Sequence, residues 1–172
     1  NPSSPVATLI DRGSPEDPTR DQVFVILESG LVQIFGANEC PCLPASTIPN
    51  LKARSIIVSN FLDRQRCILI GTRIGDILSY DYTTLTFIRR TLVCQGSILF
   101  MFPHQASKTL LVLTDYRMYR VSMIDGKVKA EYRQDCEDVA ALFDDLLVIG
   151  YANGSYLIER IYDTEGIEII HK

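Results

Sequence analysis

Five cysteines, two histidines and the adjacent carboxylates Glu137-Asp138 and Asp144-Asp145 are the residues of this chain best suited to chemistry. Cys40-Pro41-Cys42 is the one close thiol pair. Its single-residue spacer is shorter than a zinc knuckle needs, and no second Cys or His pair follows at finger spacing. With Cys67, Cys94 and Cys136 the count is odd, unlike a secreted disulfide framework. Cys67 and Cys94 sit among apolar residues and read as buried thiols of a reducing compartment. His104 follows Phe102-Pro103 in what reads as a loop between repeat units, and is expected at a turn or surface. No Gly-x-Ser-x-Gly elbow occurs, no Gly-Lys-Ser/Thr follows Gly71–Gly75, and no histidine motif accompanies a cysteine. Glu137-Asp138 and Asp144-Asp145 are neighbours along the chain. On a strand such neighbours point to opposite faces and cannot share a proton. The expectation is a non-catalytic protein with no catalytic, cofactor or metal residue. Asn153-Gly154-Ser155 matches a glycosylation acceptor, a pattern common by chance and at odds with the cysteines.

Basic and aromatic residues offer a second kind of chemistry. Arg64, Arg66, Arg89, Arg90, Arg117 and Arg120 are interleaved with Tyr80, Tyr82, Tyr116, Tyr119 and Tyr132. Such a mixture can stack and neutralise a single nucleic-acid strand. It can equally be solvated strand faces with tyrosines filling gaps between sheets. The net charge of −4 favours the second reading, because a nucleic-acid coat needs a positive field.

The elements that must position these residues are short. The chain has 172 residues, 47% hydrophobic and 22% charged, enough apolar surface for one core-bearing domain or two very small ones. No apolar run approaches the roughly 18 residues that span a bilayer, and no signal peptide opens the chain, so no membrane partner is expected. Residues 1–21 and 36–50 are polar and proline-containing and read as loops. Four segments share one shape: an apolar run, a short turn, then a second run that partly alternates. They are Val23–Phe35, Cys67–Tyr80, Leu110–Val121 and Leu146–Ile158. Gly30, Gly75 and Gly154 hold the same place in the turn, and Arg117 holds it in the third copy. The spacings are 45, 42 and 37 residues, near the roughly 40–45 of four-stranded propeller blades. The first run would be buried between blades. The glycine supplies a positive φ to the hairpin. The second run would lie further out, with polar outward positions.

Weaker partners complete each unit. Ser55–Ser59 precedes the second copy and Thr86–Val93 follows it. Asp125-Gly126 predicts a two-residue turn between Tyr119–Ile124 and Lys127–Tyr132. Glu137–Ile149 has apolar residues at helical spacing, yet Asp144-Asp145 also reads as a turn between strands, and the repeat favours the turn. The fold class is therefore all-β: residues 1–172 form a partial β-propeller of about four antiparallel blades, centred near 30, 75, 117 and 154. Both ends read as cut from something longer. The remaining blades are expected from the parent chain or another chain, since open blades expose unpaired strands. Arg73, Tyr116, Arg117, Tyr151 and Asn153 would gather at equivalent hairpin turns, on one rim where partners dock.

Ala53-Arg54-Ser55-Ile56-Ile57, then Cys67–Gly71 and Gly75-Asp76-Ile77-Leu78, then Arg89-Arg90-Thr91-Leu92 and Gly96-Ser97-Ile98-Leu99 carry a resemblance. Over residues 53–160 the chain resembles the propeller repeats of the UV-damaged DNA-binding protein 1 family. That family includes the large subunit of cleavage and polyadenylation specificity factor and a large splicing factor 3b subunit. Its members often show a proline-arginine-serine start and an Asp-Gly turn; here Ala53-Arg54-Ser55 and Ile74-Gly75 stand in those places. The resemblance implies seven-bladed propellers, of which this chain is part, and a nuclear scaffold, with the cytoplasm as a second compartment. It implies partners of the cullin or substrate-receptor type, as in a ubiquitin-ligase adaptor working in DNA repair and at chromatin. The alternative it implies is a scaffold subunit in pre-mRNA cleavage, polyadenylation or splicing, with nucleic acid contacted indirectly.

Overall fold

The computed structural model of the chain describes residues 5–11, 22–27, 31–36, 53–62, 65–104, 107–132, 136–143, 146–161 and 167–171. These residues form four antiparallel sheets, and within each the strands pair in chain order. The first sheet has β1 (Pro5–Asp11), β2 (Gln22–Leu27) and β3 (Val32–Phe35). The second has β4 (Ala53–Leu62), β5 (Gln65–Thr72), β6 (Asp76–Asp81) and β7 (Phe87–Leu92). The third has β8 (Ile98–His104), β9 (Thr109–Thr114), β10 (Met118–Ser122) and β11 (Val128–Glu131). The fourth has β12 (Cys136–Phe143), β13 (Leu146–Tyr151), β14 (Tyr156–Ile161) and β15 (Ile167–His171).

Alternation along the central strands explains how the sheets stack. On β5, Ile68 and Ile70 face one way, into a core with Phe24, Ile26, Val32 and Ile34 of the first sheet. Cys67 and Leu69 face the other way, into a core with Ile98, Met101, Leu110 and Val112 of the third. Leu111, the residue between those last two, enters a further core with Ile149 and Leu157 of the fourth sheet. Period-two geometry thus divides each continuous apolar run between two neighbouring cores. The first strands also lie near one another: β4 packs against both β1 and β8. Outermost strands β7 and β11 are largely exposed. This is the radial arrangement of propeller blades, and it bears out the all-β reading.

Several expectations need correcting. A strand, β1, occupies Pro5–Asp11 where a loop was expected, because Leu9 packs on the first core and the segment pairs with β2 from end to end. The second run of the repeat lies one strand further out than the first, as expected, but it carries no exposed polar face in β6. Apart from Asp81, β6 is buried throughout, since sheets cover both its faces, and the exposed role falls to β7. Asp125-Gly126 lies in a four-residue loop closed by Ser122 N–H to Lys127 O (2.8 Å) and Gly126 N–H to Ser122 O (2.9 Å). His104 is no surface histidine. It ends β8, is buried, and its Nδ1 lies 2.6 Å from Ser107 Oγ, within the β8–β9 hairpin rather than between units. Over Glu137–Ile149 the described residues are strand, in β12 and β13 paired antiparallel, as the repeat favoured over a helix. The turn at residues 144–145, the Cys40/Cys42 pair, Gly30 and the 36–50 loop beyond Gly36 lie outside the described residues.

Polar contacts fasten sheet to sheet. Arg66 Nη2 on β5 donates to both carboxylate oxygens of Asp11 on β1 (2.6 and 2.7 Å). The Tyr82 hydroxyl donates to the same carboxylate (2.6 Å), and the Arg66 guanidinium lies 4.3 Å over the Tyr82 ring. Arg89 on β7 reaches the Ile124 and Met123 carbonyls of the third sheet.

Burial, the bond to Asp11 and the charge of that carboxylate together push the Tyr82 phenol up to about 12, with Arg66 opposing. A raised folded-state value means that the protonated clasp adds stability below the ordinary tyrosine value of 10.0, and that this is lost as pH climbs through 12. Tyr82→Phe should therefore cost about 1–2 kcal/mol in urea unfolding at neutral pH. The gap between variant and wild type should close between pH 10 and pH 12. An unchanged gap across that window would show that the hydroxyl does not hold Asp11.

Candidate functional site

In the second, third and fourth sheets, the hairpins joining the second and third strands lie at one end of the stack. In the second sheet this turn contains Arg73, Ile74 and Gly75. Gly75 has φ +89°, and a Cβ there would run into the Cys94 carbonyl. Val93 N–H donates to Gly75 O (3.0 Å), so the connection to the third sheet is pinned against the turn. Thr72 Oγ1 accepts from the Asp76 amide (3.0 Å), and the fully buried Asp76 carboxylate accepts from Arg90 Nη2 (2.7 Å).

The third sheet solves the same turn without glycine. Thr114 Oγ1 accepts from the amides of Tyr116 (3.2 Å) and Arg117 (3.0 Å), and its hydroxyl donates to Arg117 O (2.8 Å). This turn is one residue shorter than that of the second sheet, so Arg117 falls at the place of Asp76, not of Gly75 as the repeat suggested, and no residue with the positive φ of Gly75 is needed. Asp115 accepts from the Ser97 amide (2.9 Å), and the Tyr116 ring covers Gly96. Residues 94–97 thus run between the two hairpins and fix their separation. In the fourth sheet, Asn153 Oδ1 accepts from Ser155 N–H (2.9 Å) and Oγ (2.6 Å), and Gly154 has φ +80°.

The five residues predicted for this rim meet different fates. Arg73 and Tyr116 are exposed, Tyr116 by 54%. Arg117 is exposed but forms an ion pair with Glu131 of β11. Asn153 spends its side-chain oxygen on its own turn. Tyr151 is buried with Ile149 and Leu157 in the core between the third and fourth sheets, and serves packing. Sequence reasoning missed Ile74, Leu99, Phe100 and Tyr156, which are 42–47% exposed at this same end. The available signals were an isoleucine inside a polar turn and the Leu99-Phe100 pair, which falls where the β8–β9 register slips.

A nucleic-acid face does not assemble from the arginines and tyrosines. Arg66, Arg89, Arg90 and Arg117 each bind an acid or carbonyl of the protein itself. Tyr80 and Tyr132 are buried, and Tyr82 belongs to the Asp11 clasp. The carboxylates do not converge either: Asp76 pairs with Arg90, whereas Asp115 caps Ser97. No group of three His, Cys, Asp or Glu residues suited to a metal ion occurs among the described residues.

No family model matches the chain, and no curated protein does. Solved structures do. The computationally designed Ika4 protein aligns with a TM-score of 0.64 at 11% identity, covering 92% of each chain. The WD40 β-propeller domain of Doa1 aligns at 0.66 and 12% identity, covering 90% of this chain and 50% of that one. The Dos1 propeller aligns at 0.62 and 15% identity, covering 87% and 44%. At these identities the likeness shows the fold: blades of a β-propeller. The chain spans about half the length of the Doa1 and Dos1 propellers.

The two glycine turns make unequal demands. Gly75→Ala should destabilise by about 2–4 kcal/mol, combining left-handed strain with displacement of the Cys94 backbone. Gly154→Ala meets nothing within 4 Å and should cost only the strain, about 1 kcal/mol. Equal losses in denaturant unfolding would refute the pinning of residues 94–97 by the Gly75 turn.

Proposed function

We propose that this chain is part of a non-catalytic scaffold that docks protein partners on the hairpin end of its blades. One observation carries this reading: Ile74, Leu99, Phe100 and Tyr116 are exposed at the same end, beside Arg73. Aromatic and arginine residues on a fixed frame are the usual anchors of protein interfaces. The frame is fixed here because Thr114 closes its own turn, and Asp115 and Gly75 bind the turns to the intervening chain. By resemblance, the assembly is a nuclear multi-protein complex of the cullin-RING ubiquitin-ligase type, in which the chain is an adaptor propeller completed by further blades. The exposed set fits a partner helix or loop carrying apolar side chains and an acid for Arg73.

The test is a titration of the protein with a purified cullin amino-terminal region, in wild type and in the pair Tyr116→Ala and Arg73→Glu. Docking at this end predicts at least a tenfold weaker complex in each variant with the unfolding midpoint unchanged. Wild-type affinity in both variants would move the interface elsewhere, and absence of binding would remove the ligase assignment.

The second reading is a scaffold in pre-mRNA processing. It makes a separate prediction because direct phosphate contact releases counterions. With the arginines engaged internally, affinity for a labelled single-stranded RNA should be weak at physiological salt, and any binding should depend only shallowly on salt. Tight binding that falls steeply between 50 and 200 mM salt would favour the RNA reading.

A further inference from the structure

Arg120, on β10, is 5% exposed, and its Nε and Nη1 have no hydrogen-bond partner among the described residues. Arg66, Arg89, Arg90 and Arg117, by contrast, reach acids or carbonyls. A buried unpaired cation is costly to hold, so a structure that keeps one keeps it for an anion.

Its surroundings are polar in a pattern. Antiparallel pairing sets Arg120 opposite Leu111, and sets Ser122 opposite Thr109, which in turn pairs with His104. Directly paired residues share a face, so His104, Thr109, Ser122 and Arg120 lie on one face of the third sheet. It is the face that carries Leu111 and Met118 into the core shared with the fourth sheet. All four polar residues are buried. Ser107 Oγ bridges His104 Nδ1 (2.6 Å) and Thr109 Oγ1 (2.7 Å), which holds the row together. The corresponding position in the second sheet, opposite Leu69, is Ser79, which is buried but uncharged. The cation is therefore particular to the third sheet and is not required by the repeat.

The row runs to the end of the sheet opposite the hairpin face, where the β8–β9 and β10–β11 turns meet. There Met123 N–H donates to Lys108 O (3.0 Å), and Lys108 and Lys127 are exposed. Among the described residues of these two turns Asp125 is the acid, and it is engaged by the Lys127 amide (3.1 Å), the Lys129 and Lys127 ammonium groups (3.8 and 4.0 Å) and Ser122 Oγ, which accepts from its amide (3.4 Å). Cations at the mouth and a guanidinium inside favour entry of a negatively charged group.

We propose that Arg120 and its row form a binding site for a small oxyanion, a carboxylate or phosphate group, between the third and fourth sheets. The unpartnered Nε–H and Nη1–H lie on different edges of the guanidinium, and each can donate a charge-assisted hydrogen bond to a carboxylate or phosphate oxygen. Thr109 supplies a hydroxyl group that can complete its shell, whereas the Ser122 hydroxyl is engaged by Asp125. The site is independent of the docking face.

The experiment is thermal unfolding of the whole chain in inorganic phosphate, in acetate and in chloride at matched ionic strength, for wild type and Arg120→Met. At ten times its Kd, a bound anion should raise the wild-type Tm by about 3–6 °C over chloride. Arg120→Met should lose that increment and should melt no lower than wild type in chloride, since it removes an unpaired buried charge. A response to phosphate and not acetate assigns the site to phosphate groups, and the reverse assigns it to carboxylates. Equal anion responses in the two proteins would overturn the proposal. So would a variant much less stable in chloride, because that would mean Arg120 already has an internal partner.

Discussion

The structure rests on one constraint: each central strand must be apolar on both faces because each face belongs to a different core. Ile68 and Ile70 of β5 serve the core with the first sheet, while Cys67 and Leu69 serve the core with the third. Fully burying side chains of this size contributes about 1.5–3 kcal/mol each. A polar residue inserted in such a run would weaken one inter-sheet contact and leave its own group without water. The continuous apolar runs are thus the condition for stacking sheets radially rather than spreading them in one layer.

Polar contacts add orientation to that packing. The Asp11 carboxylate collects an arginine and a tyrosine from the second sheet, and Arg89 reaches carbonyls of the third. Each contact joins neighbouring sheets and commits a cation to a group of the protein itself. That same fact sets the character of the hairpin end. With Arg117 held by Glu131 and Asn153 capping its own turn, what remains exposed there is mainly apolar and aromatic, accompanied by Arg73. Such a surface suits a protein partner better than a phosphate backbone.

The hairpin turns show how a repeat tolerates change. The second sheet uses Gly75 with a positive φ, whereas the third uses three hydrogen bonds from Thr114. Both reverse the chain at the same end of their sheets, the third over one residue fewer. The repeat is therefore a repeat of geometry, and the residue that provides it can differ from blade to blade.

Much of this was legible in the residues alone. Apolar runs of four or five, punctuated by turns at intervals near 40, determined all-β blades, because a strand covered on both faces leaves that imprint in one dimension. The weaker strand Phe87–Leu92 was placed as an outer one by its paired arginines. Other features were decided only by contacts between distant segments. Pro5–Asp11 became a strand through pairing with β2, Tyr151 turned inward because the third sheet covers it, and Ile74, Leu99 and Phe100 were left exposed because no described sheet lies over that end. Local pattern records whether a residue belongs in an interior. Which interior, and whether a neighbour arrives to cover it, depends on pairing between sheets far apart in sequence.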